Sequence, residues 1–178
     1  QAGLSVGLND VTVVWRQYSR TSVPTSDPVY TILTQILNAA NYPGFLILYA
    51  NYTWATDHIW FELNSASSRN IFRITVPTPN VFKSSVWAWC ALTIERGGFA
   101  RLYVDGVLVG SVDVSSAAAV DVVSAEPFKI TGAYDPTVSS YYFDGQIDYM
   151  AMWHRALPEA AIRDLYVSPW ALYTRPLF

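Results

Sequence analysis

Between Asn51 and His58 (NYTWATDH), two aromatic side chains, Tyr52 and Trp54, stand beside an acid, Asp57, and a histidine, His58. An aromatic platform flanked by groups that give and accept hydrogen bonds is the chemistry of a surface that holds a glycan without altering it. The four residues share one expected exposed loop or hairpin tip, and they form the candidate ligand-binding set. The same residue types also suit packing, with Trp54 folded back onto the protein body or seated in a subunit contact, where large aromatics are enriched.

Groups for bond-breaking chemistry are scattered. Hydrolysis of a glycosidic bond needs two carboxylates about 5 Å apart in a retaining mechanism, whereas Glu62, Glu95, Glu126 and Glu159 fall on separate segments. Glu159 stands where a helix start uses an acid structurally. A serine triad would have to recruit His58 or His154; neither lies near a G-x-S-x-G elbow, and His154 beside Trp153 is expected to be a packed structural residue. Two His and one Cys show no zinc-ligand spacing. Gly97-Gly98 and Gly106 belong to hairpin turns and not to phosphate loops. No enzyme, cofactor or metal is expected.

The composition narrows the class of partner. Hydrophobic residues make up 52% and charged residues 14% of 178 positions, enough apolar material for one folded core spanning 1–178, with a tail at 167–178. Lysine occurs only at Lys83 and Lys129, and no basic run exists, so a phosphate backbone has no electrostatic footprint to meet and nucleic acid is not an expected direct partner. No apolar stretch approaches the ~18 residues that span a bilayer, so no membrane is expected. Cys90, in the run Val86 to Leu92, reads as a small buried hydrophobe.

The elements that must position these residues are mostly strands. Val11 to Tyr18 alternates, with Val11, Val13 and Trp15 on one face. Val29 to Ala40 fits either a strand or a short helix. Phe45 to Tyr49, Ile59 to Leu63 and Ile71 to Val76 have strand length and composition. Asp105-Gly106, between Val104 and Val107, is the dipeptide of a two-residue type I′ hairpin, since both turn positions need positive φ. That turn is expected to pair Val104 with Val107 and Leu102 with Val109, all on one face. Gly97-Gly98 adds a second turn, giving three consecutive antiparallel strands over Trp87 to Val112. Phe128 to Gly132 and Tyr141 to Trp153 are further strands, the latter with Ile147, Tyr149, Ala151 and Trp153 on one side. Leu157 to Tyr166 reads as a short helix, with Pro158 at its first position and Ile162, Leu165 and Tyr166 as its buried stripe.

Three segments in this order resemble the concanavalin A-like, laminin-G-like jelly-roll superfamily. They are Ala91-Leu92-Thr93 leading into Leu102-Tyr103-Val104-Asp105-Gly106, then Phe143-Asp144-Gly145-Gln146-Ile147-Asp148, then Arg155-Ala156-Leu157-Pro158-Glu159 running to Leu165-Tyr166. The resemblance implies an all-β fold, a two-sheet antiparallel jelly-roll sandwich with one short C-terminal helix. Glycoside hydrolases of the superfamily resemble one another in an E-x-D-x-x-E strand, which this sequence lacks. Some members hold calcium between loop carboxylates; Asp57, Asp135 and Asp144 are available, yet they read as turn-forming or solvated acids. The tail from Ser168 to Pro176 (SPWALYTRP) resembles the D-P-W-x-L-F-x-P tail of such domains in tailed-bacteriophage structural proteins, with Ser168 in place of the acid. That likeness implies a non-catalytic virion structural or interaction protein, a capsid decoration or tail-associated module at the particle surface. Its partners would be other virion proteins and itself as a homo-oligomer. A carbohydrate-binding, lectin-like adhesin is the alternative, and a glycan hydrolase the third reading.

Overall fold

A computed structural model describes residues 6–20, 29–35, 43–52, 56–76, 85–132 and 142–170, with the backbone alone at 29, 50–52, 56 and 57. Ten strands and one α-helix lie among them: β1 (Val11–Ser19), β2 (Val29–Thr34), β3 (Gly44–Tyr52), β4 (Thr56–Asn64), β5 (Ile71–Val76), β6 (Trp87–Ile94), β7 (Phe99–Val104), β8 (Val107–Asp113), β9 (Lys129–Ile130), β10 (Gly145–Trp153) and α1 (Glu159–Val167). They form two antiparallel five-stranded sheets, β10-β1-β6-β7-β8 and β5-β4-β3-β2-β9. This is the expected jelly-roll sandwich with a C-terminal helix. The segment left open between helix and strand is a strand over Val29–Thr34; positions 36–40 lie outside the described residues.

Alternation along each strand builds the core row by row. In the first sheet Val11, Ile94 and Ala100 stand abreast, then Val13, Leu92 and Leu102, then Trp15, Cys90 and Val104. In the second, Ile47, Phe61 and Phe72 form one row and Tyr49, Ile59 and Ile74 the next. All are buried in a single cluster between the sheets, and Phe61 stacks on Phe72 with centroids 5.4 Å apart. Burial pushes the Cys90 thiol well up, with Asp105 adding to the effect, so it stays protonated in apolar surroundings.

The first sheet is covered on both faces. Its outer side carries Val14, Trp89, Ala91 and Tyr103, and Leu157, just before α1, seals them together with Ile162 and Leu165 of the helix. This second cluster explains why β6 reads WAWCALTI, an almost continuous apolar run: antiparallel strands alternate only when one face meets water. Thr12, fully buried, fastens the chain between β10 and α1, its hydroxyl donating to the Arg155 carbonyl at 2.8 Å and accepting from the Leu157 amide at 2.9 Å.

The Asp105-Gly106 turn has positive φ at both residues, 49° and 77°, as a type I′ hairpin requires. It docks under the helix: a Cβ added at Gly106 would lie 2.7 Å from the Tyr166 ring. Val104 pairs with Val107 as expected, but a bulge follows, so Leu102 faces Gly110 instead of Val109. Gly110 lets β8 close on the other sheet's edge, since a Cβ there would meet Ile74 at 2.6 Å and the Thr75 carbonyl at 3.0 Å. A similar irregularity in β10, where Arg16 pairs with Tyr149 and Gln17 with Ile147, splits the expected stripe. Ile147 packs toward the inter-sheet core, whereas Tyr149 and Trp153 pack with the helix.

The helix also starts one residue later than expected. Pro158, extended at φ −68° and ψ 157°, is the cap and Glu159 the first helical residue. Tyr166 is partly exposed, because its ring leans on Trp89 at 5.6 Å rather than entering the core. His154 is exposed and not packed: β10 ends at Trp153 and the chain bends at His154.

Candidate functional site

The segment expected as an exposed loop or hairpin tip joins two antiparallel strands, with residues 53–55 outside the described residues. Strand β3 runs through Tyr52 and β4 resumes at Thr56, with Tyr52 opposite Thr56, Asn51 opposite Asp57 and Ala50 opposite His58. Trp54 lies outside the described residues, and so do the side chains of Tyr52 and Asp57. The register nevertheless sorts three of the four positions. Positions 52 and 58 have the parity of Trp60 and Glu62, on the outer face of the sheet, while position 57 has the parity of the core residues Ile59 and Phe61. Of the four, His58 alone has a described side chain. His58 is half-buried and sits opposite Thr75 of β5.

The same outer face carries residues that the sequence reading passed over. Leu48, Trp60 and Arg73 stand abreast across β3, β4 and β5. The Arg73 guanidinium lies 4.8 Å above the centroid of the Trp60 ring, a cation held by the negative face of an indole. Leu48 in this row is buried, as is Leu46, which pairs with Glu62. One signal for Trp60 was present: in His58-Ile59-Trp60-Phe61-Glu62-Leu63 the core parity belongs to Ile59, Phe61 and Leu63, so an indole at the other parity faces away from the core.

Glu62 continues the face toward the β4–β5 turn. It is 1% exposed and forks with Arg69, which reaches Oε1 from Nη2 at 2.7 Å and Oε2 from Nε at 3.2 Å. The Asn64 amide also donates to Oε2 at 2.7 Å, and Asn64 Oδ1 accepts from the Asn70 backbone amide at 2.8 Å. This chain of bonds fixes the turn joining β4 to β5, and with it the spacing of Trp60 and Arg73. The carboxylate is thus committed to holding structure. Among the described residues, no three His, Cys, Asp or Glu side chains are close enough to share a metal ion. Asp144, one of the acids weighed for calcium, lies 3.9 Å from Arg20.

Residues 14–163 match the family model described as the concanavalin A-like lectin/glucanases superfamily. The chain belongs to that superfamily. Its three signature segments fall on the β6–β7–β8 meander, the approach to and start of β10, and α1. No curated protein sequence matches the chain. Among solved structures, it is similar to a native heptameric SAP-like pentraxin from Limulus polyphemus, with a TM-score of 0.65, 14% identity, and coverage of 89% of this chain and 70% of that one. It is also similar to the Ruminococcus gnavus IT-sialidase CBM40 bound to α2,3-sialyllactose, at TM-score 0.62 and 14% identity, covering 90% of this chain and 84% of that one. A third is the botulinum neurotoxin serotype D binding domain, at TM-score 0.61 and 16% identity; 93% of this chain aligns, but it spans only 38% of that structure. At these identities the likeness establishes the fold.

Proposed function

We propose that the chain is a non-catalytic, lectin-like carbohydrate-binding module that receives a glycan on the outer face of β4 and β5, around His58, Trp60 and Arg73. The observation that carries this reading is the position of Trp60: a partly exposed indole on a strand face, in register with Leu48 and Arg73 and two residues along the strands from His58 and Thr75. A sugar ring lays its apolar face on such a surface, and the imidazole, hydroxyl and guanidinium supply hydrogen bonds to its hydroxyls. The similarity to a sialidase CBM40 carrying sialyllactose supports a binding role for this architecture. The non-catalytic reading is supported by Glu62, whose two oxygens are taken by Arg69 and Asn64. The test is a glycan array probed with the wild-type chain and with Trp60→Ala. Defined glycan signals lost in a variant that unfolds like wild type would support the reading; an array blank for the wild type would remove it.

A structural role on a virus particle is the second reading. None of the structures named above is a virion protein, so the order of the two readings is the reverse of that suggested by the C-terminal tail. A specific feature still favours a protein contact: exposed Val107 and Leu108 adjoin the Gly106–Tyr166 contact, and Val167 and Trp170 follow at the end of α1. Contiguous exposed apolar residues mark association surfaces. Mass determination in solution, with a pull-down against empty capsids, separates the two. A defined oligomer retained on capsids supports the second reading, and a monomer indifferent to them removes it.

A further inference from the structure

The charges around Trp60 are unbalanced in a way that specifies a ligand. Arg16, Arg20, Arg69, Arg101 and Arg163 each have a carboxylate oxygen within 3.9 Å. Arg73 has no ion-pair partner among the described residues, although it is exposed and held in place over Trp60. The nearest acid by register, Glu62, is already neutralised by Arg69 and is almost fully buried. Among the described residues, a ligand carboxylate meeting Arg73 therefore faces a cation with no ion-pair partner and no bare anion on the Trp60 row.

The way Arg73 is held matters as much as its charge. A guanidinium resting by its face on an aromatic ring keeps its in-plane N–H donors available, and a fork of two such donors matches the two oxygens of a carboxylate. Its freedom is already reduced before a ligand arrives, so less entropy is lost on binding. Two residues along the strands, on the same face, Thr75 and His58 stand opposite each other and can serve the neighbouring hydroxyls of the same ring.

We infer that this face selects sugars that carry a carboxylate, with Arg73 as the carboxylate's partner and Trp60 as the stacking surface; the inference rests on the glycan reading above. Two sources share this chemistry, sialic acids and uronic acids, and the experiment separates them. Calorimetric titrations of the full chain would use α2,3-sialyllactose against lactose, and tri-galacturonate against trigalactose. The expected result is a preference of about ten-fold or more for the acidic member of at least one pair, the gain that a charge-assisted bidentate contact supplies. In Arg73→Gln the acid-to-neutral ratio falls to near one. With wild type alone, affinity for the acid falls as sodium chloride is raised, while affinity for its neutral counterpart does not. Equal binding of acidic and neutral sugars, or a ratio unchanged in Arg73→Gln, overturns the inference and leaves the glycan reading intact. Absence of binding to all four sugars and to a full array overturns both.

Discussion

Replacing Arg69 by alanine removes two charge-assisted hydrogen bonds from a carboxylate that is 1% exposed. Breaking a fully buried ion pair by deleting one partner costs about 3–5 kcal/mol, because the remaining charge loses its compensation. Here the Asn64 amide still donates to Glu62, and the Arg69 side chain is 39% exposed, so water reaches the vacated position and screens the charge. The expected loss is therefore lower, about 2 kcal/mol, roughly 30-fold in the unfolding equilibrium. Urea unfolding followed by tryptophan fluorescence measures it directly, with a lowered midpoint at unchanged slope. The double variant Glu62→Gln with Arg69→Met recovers part of the loss, since the amide leaves no charge to compensate and its carbonyl oxygen can still accept from Asn64. If Arg69→Ala costs less than about 0.5 kcal/mol and the double-mutant cycle shows no coupling, Glu62 is not the structural carboxylate described above.

Gly110→Val forces a branched side chain against Ile74 and the Thr75 carbonyl; a loss of about 1–3 kcal/mol is expected in the same unfolding assay. Thr12→Val leaves the Leu157 amide and the Arg155 carbonyl without their partner and should cost about 1–3 kcal/mol, with hydrogen exchange in α1 rising ahead of that in β6. The Asp113 carboxyl is held below the ordinary aspartate range by hydrogen bonds from Ser115, through its hydroxyl first and then its backbone amide. A carboxyl depressed in the folded state stabilises above its unfolded value and loses that contribution as pH falls through the folded one. Asp113→Asn should therefore narrow its stability gap to wild type below about pH 4, as read from melting temperatures across an acid series.

Much of the sandwich was legible because its signals are local. Val104-Asp105-Gly106-Val107 specifies a turn type through backbone sterics alone, and Ile71 to Val76 alternates so strictly that its buried face needs no partner to be assigned. What escaped depends on contacts distant in sequence. The bulge that sets Leu102 against Gly110 answers the approach of β5, and nothing within β8 announces it. The division of Ile147 from Tyr149 follows from an irregular pairing with β1. At the candidate site, an aromatic-rich segment drew attention to the hairpin tip, and His58 does lie on the outer face. Trp60 was hidden within an apolar run, and Arg73 and Arg69 were read only as strand and turn residues. Their significance appears once the register sets Trp60 beside Arg73 and the turn brings Arg69 to Glu62.

The claim that the outer face of β4 and β5 is a glycan-binding surface is tested most directly by nuclear magnetic resonance, titrating sialyllactose and tri-galacturonate into isotopically labelled protein. Saturable shifts at the Trp60 indole and the Arg73 guanidinium, with the buried Trp15 indole unmoved, are the expected result. Saturable shifts confined to other residues, or spectra unchanged by any sugar, would contradict it.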